Sequence, residues 1–336
     1  MLGASKLDIR EGTMSYIGDL DGNFVDHMRG QSQTINASLP PGDSFVFGDV
    51  TGSLLDWSIG GNDTISAFAM FGLIVYGDAG QSIEDHARGG DDTIIAGGRV
   101  FSVYGDSYSM LGHARGGDDT VSASAGTSSG TVYGDAYSMT GHARGGNDVL
   151  SGSGTYMTIF GDAYSFGERA KGGNDSIVIS VALIGAASGD ATEMSGASKG
   201  GNDTLVSQSG SGATVYLSGD ASVMSGRARG GNDVLVSGAG TEHMWGDAQQ
   251  VSGKAKGGHD TFVFGGEFGN DLVGDFRPRE GDRLKIDVAN PHVHGTEVTW
   301  QTVGSDTVIT VAGNTSHGTI TLVGYTGPLD HGLLLV

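Results

Sequence analysis

Apolar and polar residues alternate along this chain in short runs that restart at a nearly fixed interval. The stretch from Thr131 to Gly154 holds one interval. Thr131-Val132-Tyr133 is a β-prone triplet, and Gly134-Asp135-Ala136 reads as a turn. From Met139 to Gly145, Met, Gly, Ala and Gly take alternate positions, with Thr140, His142 and Arg144 between them. That period of two predicts a strand with a small-residue inner face and a polar outer face. Gly145-Gly146-Asn147-Asp148 is a second turn, and Val149-Leu150-Ser151 begins the next strand. The inner positions recur as Met110/Gly112/Ala114, Met194/Gly196/Ser198 and Met224/Gly226/Ala228, with Phe166 and Val251 in the Met place elsewhere.

The turns fix the interval. Gly-Gly-x-Asp begins at residues 60, 89, 116, 145, 172, 200, 230 and 257, in steps of 29, 27, 29, 27, 28, 30 and 27. A regular period of this length predicts a stack of one small unit instead of a fold around a central core. The expected fold is all-β: a right-handed parallel β-solenoid (β-roll or β-helix) of about eight or nine coils with a β-rich C-terminal cap. One repeat per coil, with three short strands, is the favoured winding. One and a half turns of a two-sheet roll is the alternative. Residues 1–44 read as a degenerate first repeat with a capping role: Ile17-Gly18-Asp19 and Met28-Arg29-Gly30 echo the repeat before Pro40-Pro41 interrupts it. Residues 45–275 form the solenoid and 276–336 the cap.

Composition narrows the function. The chain has 336 residues, 62 of them glycine, without the three-residue period of collagen. A formal charge of −21, from 39 acids and 18 bases, argues against a nucleic-acid partner and calls for cations. With no cysteine, disulfides and thiolate metal sites are excluded. No run of 18 apolar residues predicts a membrane span, and the start from Met1 lacks the apolar core of a signal peptide.

Each repeat supplies two aspartates in glycine turns. The Gly-Asp turns carry Asp49, Asp78, Asp106, Asp135, Asp162, Asp190, Asp220 and Asp247. The Gly-Gly-x-Asp turns carry Asp63, Asp92, Asp119, Asp148, Asp175, Asp203, Asp233 and Asp260. Asp271 and Asp275 extend the pattern toward the tail. In a parallel solenoid such residues stack about 4.8 Å apart, as ladders of like charge. Calcium is the expected ligand, with one or more ions per coil. It accepts 6–8 oxygens, main-chain carbonyls included, whereas magnesium demands a rigid octahedron.

At this point the residues resemble the RTX, or hemolysin-type calcium-binding, family. The likeness rests on stretches such as Tyr133-Gly-Asp-Ala136 followed by Ala143-Arg-Gly-Gly-Asn-Asp-Val-Leu150, and it covers about residues 45–275. Tandem nonapeptides are rare here, and an Ala-Arg or Ala-Lys often stands where the first glycine pair would be. The tail adds to the likeness through Asp260-Thr-Phe-Val-Phe264, Gly269-Asn-Asp-Leu-Val-Gly-Asp-Phe276 and Gly281-Asp-Arg-Leu-Lys-Ile-Asp287. The resemblance implies calcium-dependent folding, a C-terminal type I secretion signal, and an extracellular or cell-surface location in a Gram-negative bacterium. In that family, enzymes carry a catalytic domain ahead of the repeats, and here the repeats begin almost at residue 1.

A basic column of Arg88, Arg115, Arg144, Lys171, Lys199, Arg229 and Lys256 precedes the glycine pairs, with His86, His113, His142, Arg169 and Arg227 two positions back. It either balances neighbouring aspartates or forms an anion track for acidic polysaccharide. His292 and His294 have a zinc-compatible spacing but no third ligand nearby. No Gly-x-Ser-x-Gly or His-Glu-x-x-His motif occurs. The sequence therefore predicts a non-enzymatic, calcium-binding structural protein of a surface layer, filament or biofilm matrix, forming homo-oligomers or filaments. A calcium-dependent adhesin for acidic polysaccharide is the alternative, and a polysaccharide-modifying enzyme a more distant one.

Overall fold

A computed structural model describes residues 6–10, 13–39, 42–287, 297–313, 317–329 and 334–335. Pro40, Pro41, His292 and His294 lie outside them. The chain is an all-β parallel solenoid of about nine turns. No helix among the described residues is long and apolar enough to cross a membrane.

One repeat makes one coil. Thr131 pairs with Thr158 and with Ser102 in parallel register, so each strand meets its counterpart one repeat away on either side. Every coil has three faces. The first follows the Gly-Gly-x-Asp turn, as in Thr120–Ser124, and the second ends before the Gly-Asp turn, as in Ser129–Tyr133. In Val149–Phe160 and Ser176–Ser188 these two faces run as one strand. The third face follows the Gly-Asp turn, as in Ala136–Met139, and forms its own seven-stranded sheet.

Each face contributes a column to a thin interior. The first supplies Ile65, Ile94, Val121, Leu150, Ile177, Leu205, Leu235 and Phe262, all at most 1 % exposed. The second supplies Val75, Val103, Val132 and Ile159. The third supplies Ile83, Met110, Met139, Phe166, Met194 and Met224. Beside the second face, Phe47, Tyr76, Tyr104, Tyr133 and Phe160 stack with ring centroids 4.7–5.5 Å apart. That spacing matches the inter-strand distance, so successive coils bring like rings into offset contact.

Two expectations need correction. The segment Met139–Gly145 is not a strand: the strand is Ala136–Met139, and the chain then turns. Met139 and Ala143 point inward as expected. Gly141 does not; it holds φ at +77°, and the equivalent positions are Asp56, Asp85, Gly112, Glu168 and Gly196, all with positive φ. Small residues at alternate positions imitate a strand period here. A Cβ on Gly141 would lie 2.9 Å from the Gly112 backbone of the coil beneath.

At the N-terminal end, residues 13–39 form a first coil, bridged to the next at Leu20–Val50, Phe24–Leu54 and Arg29–Ile59. A strand at Lys6–Arg10 pairs antiparallel with Thr13–Ile17 and covers that outer edge, so this coil is partly closed. The second correction concerns the boundary at 275. Arg283–Asp287 still pairs in parallel with Thr261–Gly265, so the first face continues to residue 287. Beyond it, Glu297–Val303, Asp306–Ala312 and His317–Leu322 form an antiparallel meander, whose last strand lies parallel on Glu267–Val273.

Met139→Ala empties part of a fully buried column and is expected to lower the unfolding free energy by about 2–5 kcal/mol in urea titrations. Val149→Thr, exposed at the start of the first face, is expected to stay within about 0.5 kcal/mol of the parent. Equal effects would contradict this assignment of inside and outside.

Candidate metal centre

Two turns of each coil place their aspartates side by side in the interior. The Gly-Asp turn joins the second and third faces, and the Gly-Gly-x-Asp turn leads back into the first. In the coil of Asp135, the Gly146 N–H donates to Asp135 Oδ1 at 2.9 Å. This carboxylate ties one turn to the other within a coil, and the same bond recurs at Asp106, Asp162, Asp190 and Asp220. The second aspartate ties coils together. Asp119 N–H donates to Asp148 Oδ1 at 2.7 Å, and Asp148 N–H to Asp175 Oδ1 at 2.8 Å. The relay runs from Asp63 through Asp92, Asp203 and Asp233 to Asp260.

Glycine makes this possible by leaving room. A Cβ on Gly145 would fall on the carboxylates of Asp135 and Asp162, and one on Gly134 would fall on Asp148. Two columns of carboxylates are therefore packed against bare Cα atoms, and none of the sixteen turn aspartates is more than 2 % exposed. Asp78 shares the Gly90 N–H between both oxygens and Asp247 meets both Gly258 N–H and Arg277, whereas each of the other fourteen spends one oxygen on a backbone N–H. The other is buried without a partner: Oδ2 of Asp63, Asp92, Asp106, Asp119, Asp135, Asp148, Asp162, Asp175, Asp190, Asp203, Asp220, Asp233 and Asp260, and Oδ1 of Asp49.

Burial, joined at most positions by repulsion from neighbouring carboxylates, raises the pKa values and makes these groups weaker acids. Loss of solvent lifts Asp135 to about 6, Asp63 to about 7 and Asp260 to about 9. Asp92, Asp148 and Asp220 are raised well above the ordinary carboxylate range for the same reasons.

Both ends of the columns are closed by side chains that donate. At the first coil Gln33 stands where later coils have the second aspartate, and its amide bonds Asp19. At the last, Arg277 Nη1 reaches Asp247 Oδ2 at 3.1 Å. Between these ends no protein cation meets the columns among the described residues. The oxygen-only donor set and the row of unpartnered oxygens suit a hard cation. No three carboxylate or imidazole side chains converge at ligand spacing among the described residues. An ion would thus take carboxylates from the two columns and complete its shell with turn carbonyls.

Two expected ligands sit differently. Asp275 continues the Gly-Asp turn, accepting from Gly246 and Asp247 N–H. Asp271 belongs to neither column. It lies inside the second face against Glu242, whose N–H donates to Asp271 Oδ1 at 2.9 Å, while Ser237 Oγ donates to its Oδ2 at 2.6 Å. Ser207 Oγ serves Glu242 Oε1, and Ser237 Oγ also lies 3.1 Å from Glu242 Oε2, so its single hydroxyl proton is shared between the two acids of this separate buried pair. Sequence reading missed Asp282, which accepts from Asp260 N–H and extends the second column. It also missed the exposed ladder of Asn147, Asn174, Asn202 and Asn232, in which each amide donates to the carbonyl oxygen of the one before at 2.9–3.0 Å. Its signal was the recurrence of Asn at the x of Gly-Gly-x-Asp.

The basic column is where the sequence placed it, bridging coil to coil from Arg88 to Lys256. None of its members forms an ion pair among the described residues, so it does not balance the aspartates by direct contact. No family model matches the sequence, and no curated protein matches it at a significant level.

The raised pKa values set a pH dependence. Folded values of about 6 to 9 exceed the unfolded carboxylate value of about 4. Their contribution is therefore fully present below pH ~4 and is lost as pH rises through the folded values. In chelator, the β signal in circular dichroism is expected to be stronger at about pH 5.5 than at about pH 8.5. The reverse order would mean the columns do not carry the cost assigned to them.

Proposed function

We propose that this protein is a calcium-ordered structural solenoid that works outside the cell and associates end to end. The observation that carries this reading is the row of buried, unpartnered carboxylate oxygens between Gln33 and Arg277. At neutral pH that many desolvated charges cannot be held by backbone N–H groups alone. Protons or cations must share the columns, and calcium matches the oxygen donors and the glycine turns. Its chemistry here is charge neutralisation and cross-bracing of adjacent coils. Asp135 and Asp148, with their counterparts in each coil, would hold it. Export by a type I route and a place in a surface layer or matrix rest on the resemblance of the repeats and tail to RTX proteins.

Circular dichroism tests the calcium reading. At about pH 8 the chelated protein is expected to be largely coil and to become β on adding Ca²⁺. Asp148→Asn keeps the acceptor for Asp119 N–H but removes one charge. It is expected to stabilise the metal-free fold while raising the calcium midpoint roughly tenfold. A full β spectrum in chelator at that pH, with no response to calcium, would sink the proposal.

Association is expected along the axis through the third face. Its outermost strand, Ala248–Val251, has an unpaired edge among the described residues, with Gln249, Gln250 and Val251 exposed. At the other end, Leu20 and Phe24 bridge only to the coil above among the described residues. Such head-to-tail contacts do not close and give filaments. Val251→Pro removes an N–H from the free edge, since the Gln250 N–H and C=O face the preceding strand, and is expected to shorten calcium-grown filaments in electron micrographs. Charge reversal of Arg115, Arg144 and Lys171, on the side of the stack, is expected to leave them intact. A strictly monomeric protein at high concentration in calcium would refute the assembly.

A further inference from the structure

On the corner between the third face and the Gly-Gly turn, coils alternate an outward His, a buried Ala and an outward Arg. His86, Ala87 and Arg88 are followed by His113, Ala114 and Arg115, then by His142, Ala143 and Arg144. The buried alanines let the flanking side chains stand as two walls. The three arginines form one. The other is a stack of rings, with Trp57 4.3 Å from His86, His86 5.0 Å from His113, and His113 4.9 Å from His142, all within 11° of parallel. The walls enclose an open groove of about 390 Å³ that runs along the solenoid axis.

The groove has defined ends. Toward the N-terminus the arginine wall stops because Ile59 takes that place, and Trp57, 55 % exposed, ends the ring wall. Toward the C-terminus Arg169 Nη1 closes on His142 Nε2 at 3.4 Å, and Ala197 then interrupts the second wall. Acids stand near the groove without entering it: exposed Asp91 and Asp118 follow Arg88 and Arg115 by three residues, and Glu168 holds the turn just past the C-terminal end. Asp56 and Asp85 occupy the turn position that Gly112 and Gly141 fill in the next two coils. Arg88, Arg115 and Arg144 form no ion pair among the described residues. On a chain of charge −21, three unneutralised guanidinium groups are thus aligned one per coil and face solvent together.

We propose that this groove binds a linear carboxylated polysaccharide laid along the solenoid axis, one sugar unit per coil. A guanidinium fork pairs bidentately with a planar carboxylate. The imidazole edges supply hydrogen-bond donors and acceptors for hydroxyl groups, and the free face of Trp57 offers a platform for a terminal sugar. Single-stranded nucleic acid fits less well, because base stacking needs open aromatic faces. Here the faces are spent on one another, and only Trp57 keeps one free. An extended acidic peptide fits less well too, since same-side carboxylates recur about every 6.8 Å along a strand, out of step with a coil rise of about 4.8 Å.

Isothermal titration of the full chain with a short oligouronate tests this. It is done under whichever condition gives the folded β spectrum, so that a failure of the calcium reading leaves the test standing. The parent is expected to bind. Arg88→Ser, Arg115→Ser and Arg144→Ser combined should abolish binding, whereas Lys199→Ser, Arg229→Ser and Lys256→Ser, which remove the same charge outside the groove, should leave it unchanged. Arg115→Lys keeps the charge but loses the fork, and should weaken binding about tenfold, which keeps the test valid if the triple variant misfolds. No binding by the folded parent would overturn the proposal. So would equal losses in the two triple variants, full affinity in Arg115→Lys, or tighter binding of oligothymidylate or polyglutamate.

Discussion

Everything in this molecule is arranged around buried negative charge. Two carboxylates per coil lie in the interior, and of the sixteen turn aspartates all except Asp78 and Asp247 leave one oxygen unpartnered among the described residues. Glycine must occupy the turns, because a Cβ would displace the carboxylates. The repeat must keep its length within a few residues, since each second aspartate accepts a bond from the coil before. The apolar columns are thin and hold the faces together. The acid columns decide under what conditions the faces close, because desolvated like charges outweigh modest hydrophobic gains unless protons or cations intervene.

The two kinds of charge on this solenoid are kept apart. The acids are inside and the bases outside, with no ion pair from Arg88 through Lys256 among the described residues. Had the basic column neutralised the aspartates, neither set would be free for another partner. Segregation leaves the buried carboxylates and the exposed basic column each without a counter-charge from the other among the described residues. A single repeat carries both charges because its alternating His-Ala-Arg segment leads directly into Gly-Gly-x-Asp.

What repeats was legible in the sequence. The solenoid, the coil of one repeat and the two aspartate columns follow from glycine turns at matched intervals, since the same residue in the same turn must stack. Period alone misled at Met139–Gly145, where a positive-φ turn at Gly141 gave the same small-residue alternation as a strand. It could not separate Asp271 from the columns either, because both sit near glycine in an acidic tail. What occurs once was not legible at all. Gln33 and Arg277 close the columns through contacts that no repeat announces, and Glu242 is an acid in a position that other coils give to Val215 or Gly185.

Those two closures bear on how such a chain changes size. The Gln33 side chain bonds only Asp19, in its own coil, and the Arg277 guanidinium pairs only with Asp247 and Glu280 near the last, among the described residues. Neither closure depends on how many coils lie between them. Duplicating or excising one repeat in the gene would therefore leave both termini correctly sealed, while altering the molecule's length by about 4.8 Å and its content by one aspartate pair. Length is thus a quantity that recombination can tune in even increments, like links in a watch strap, with no redesign of either clasp.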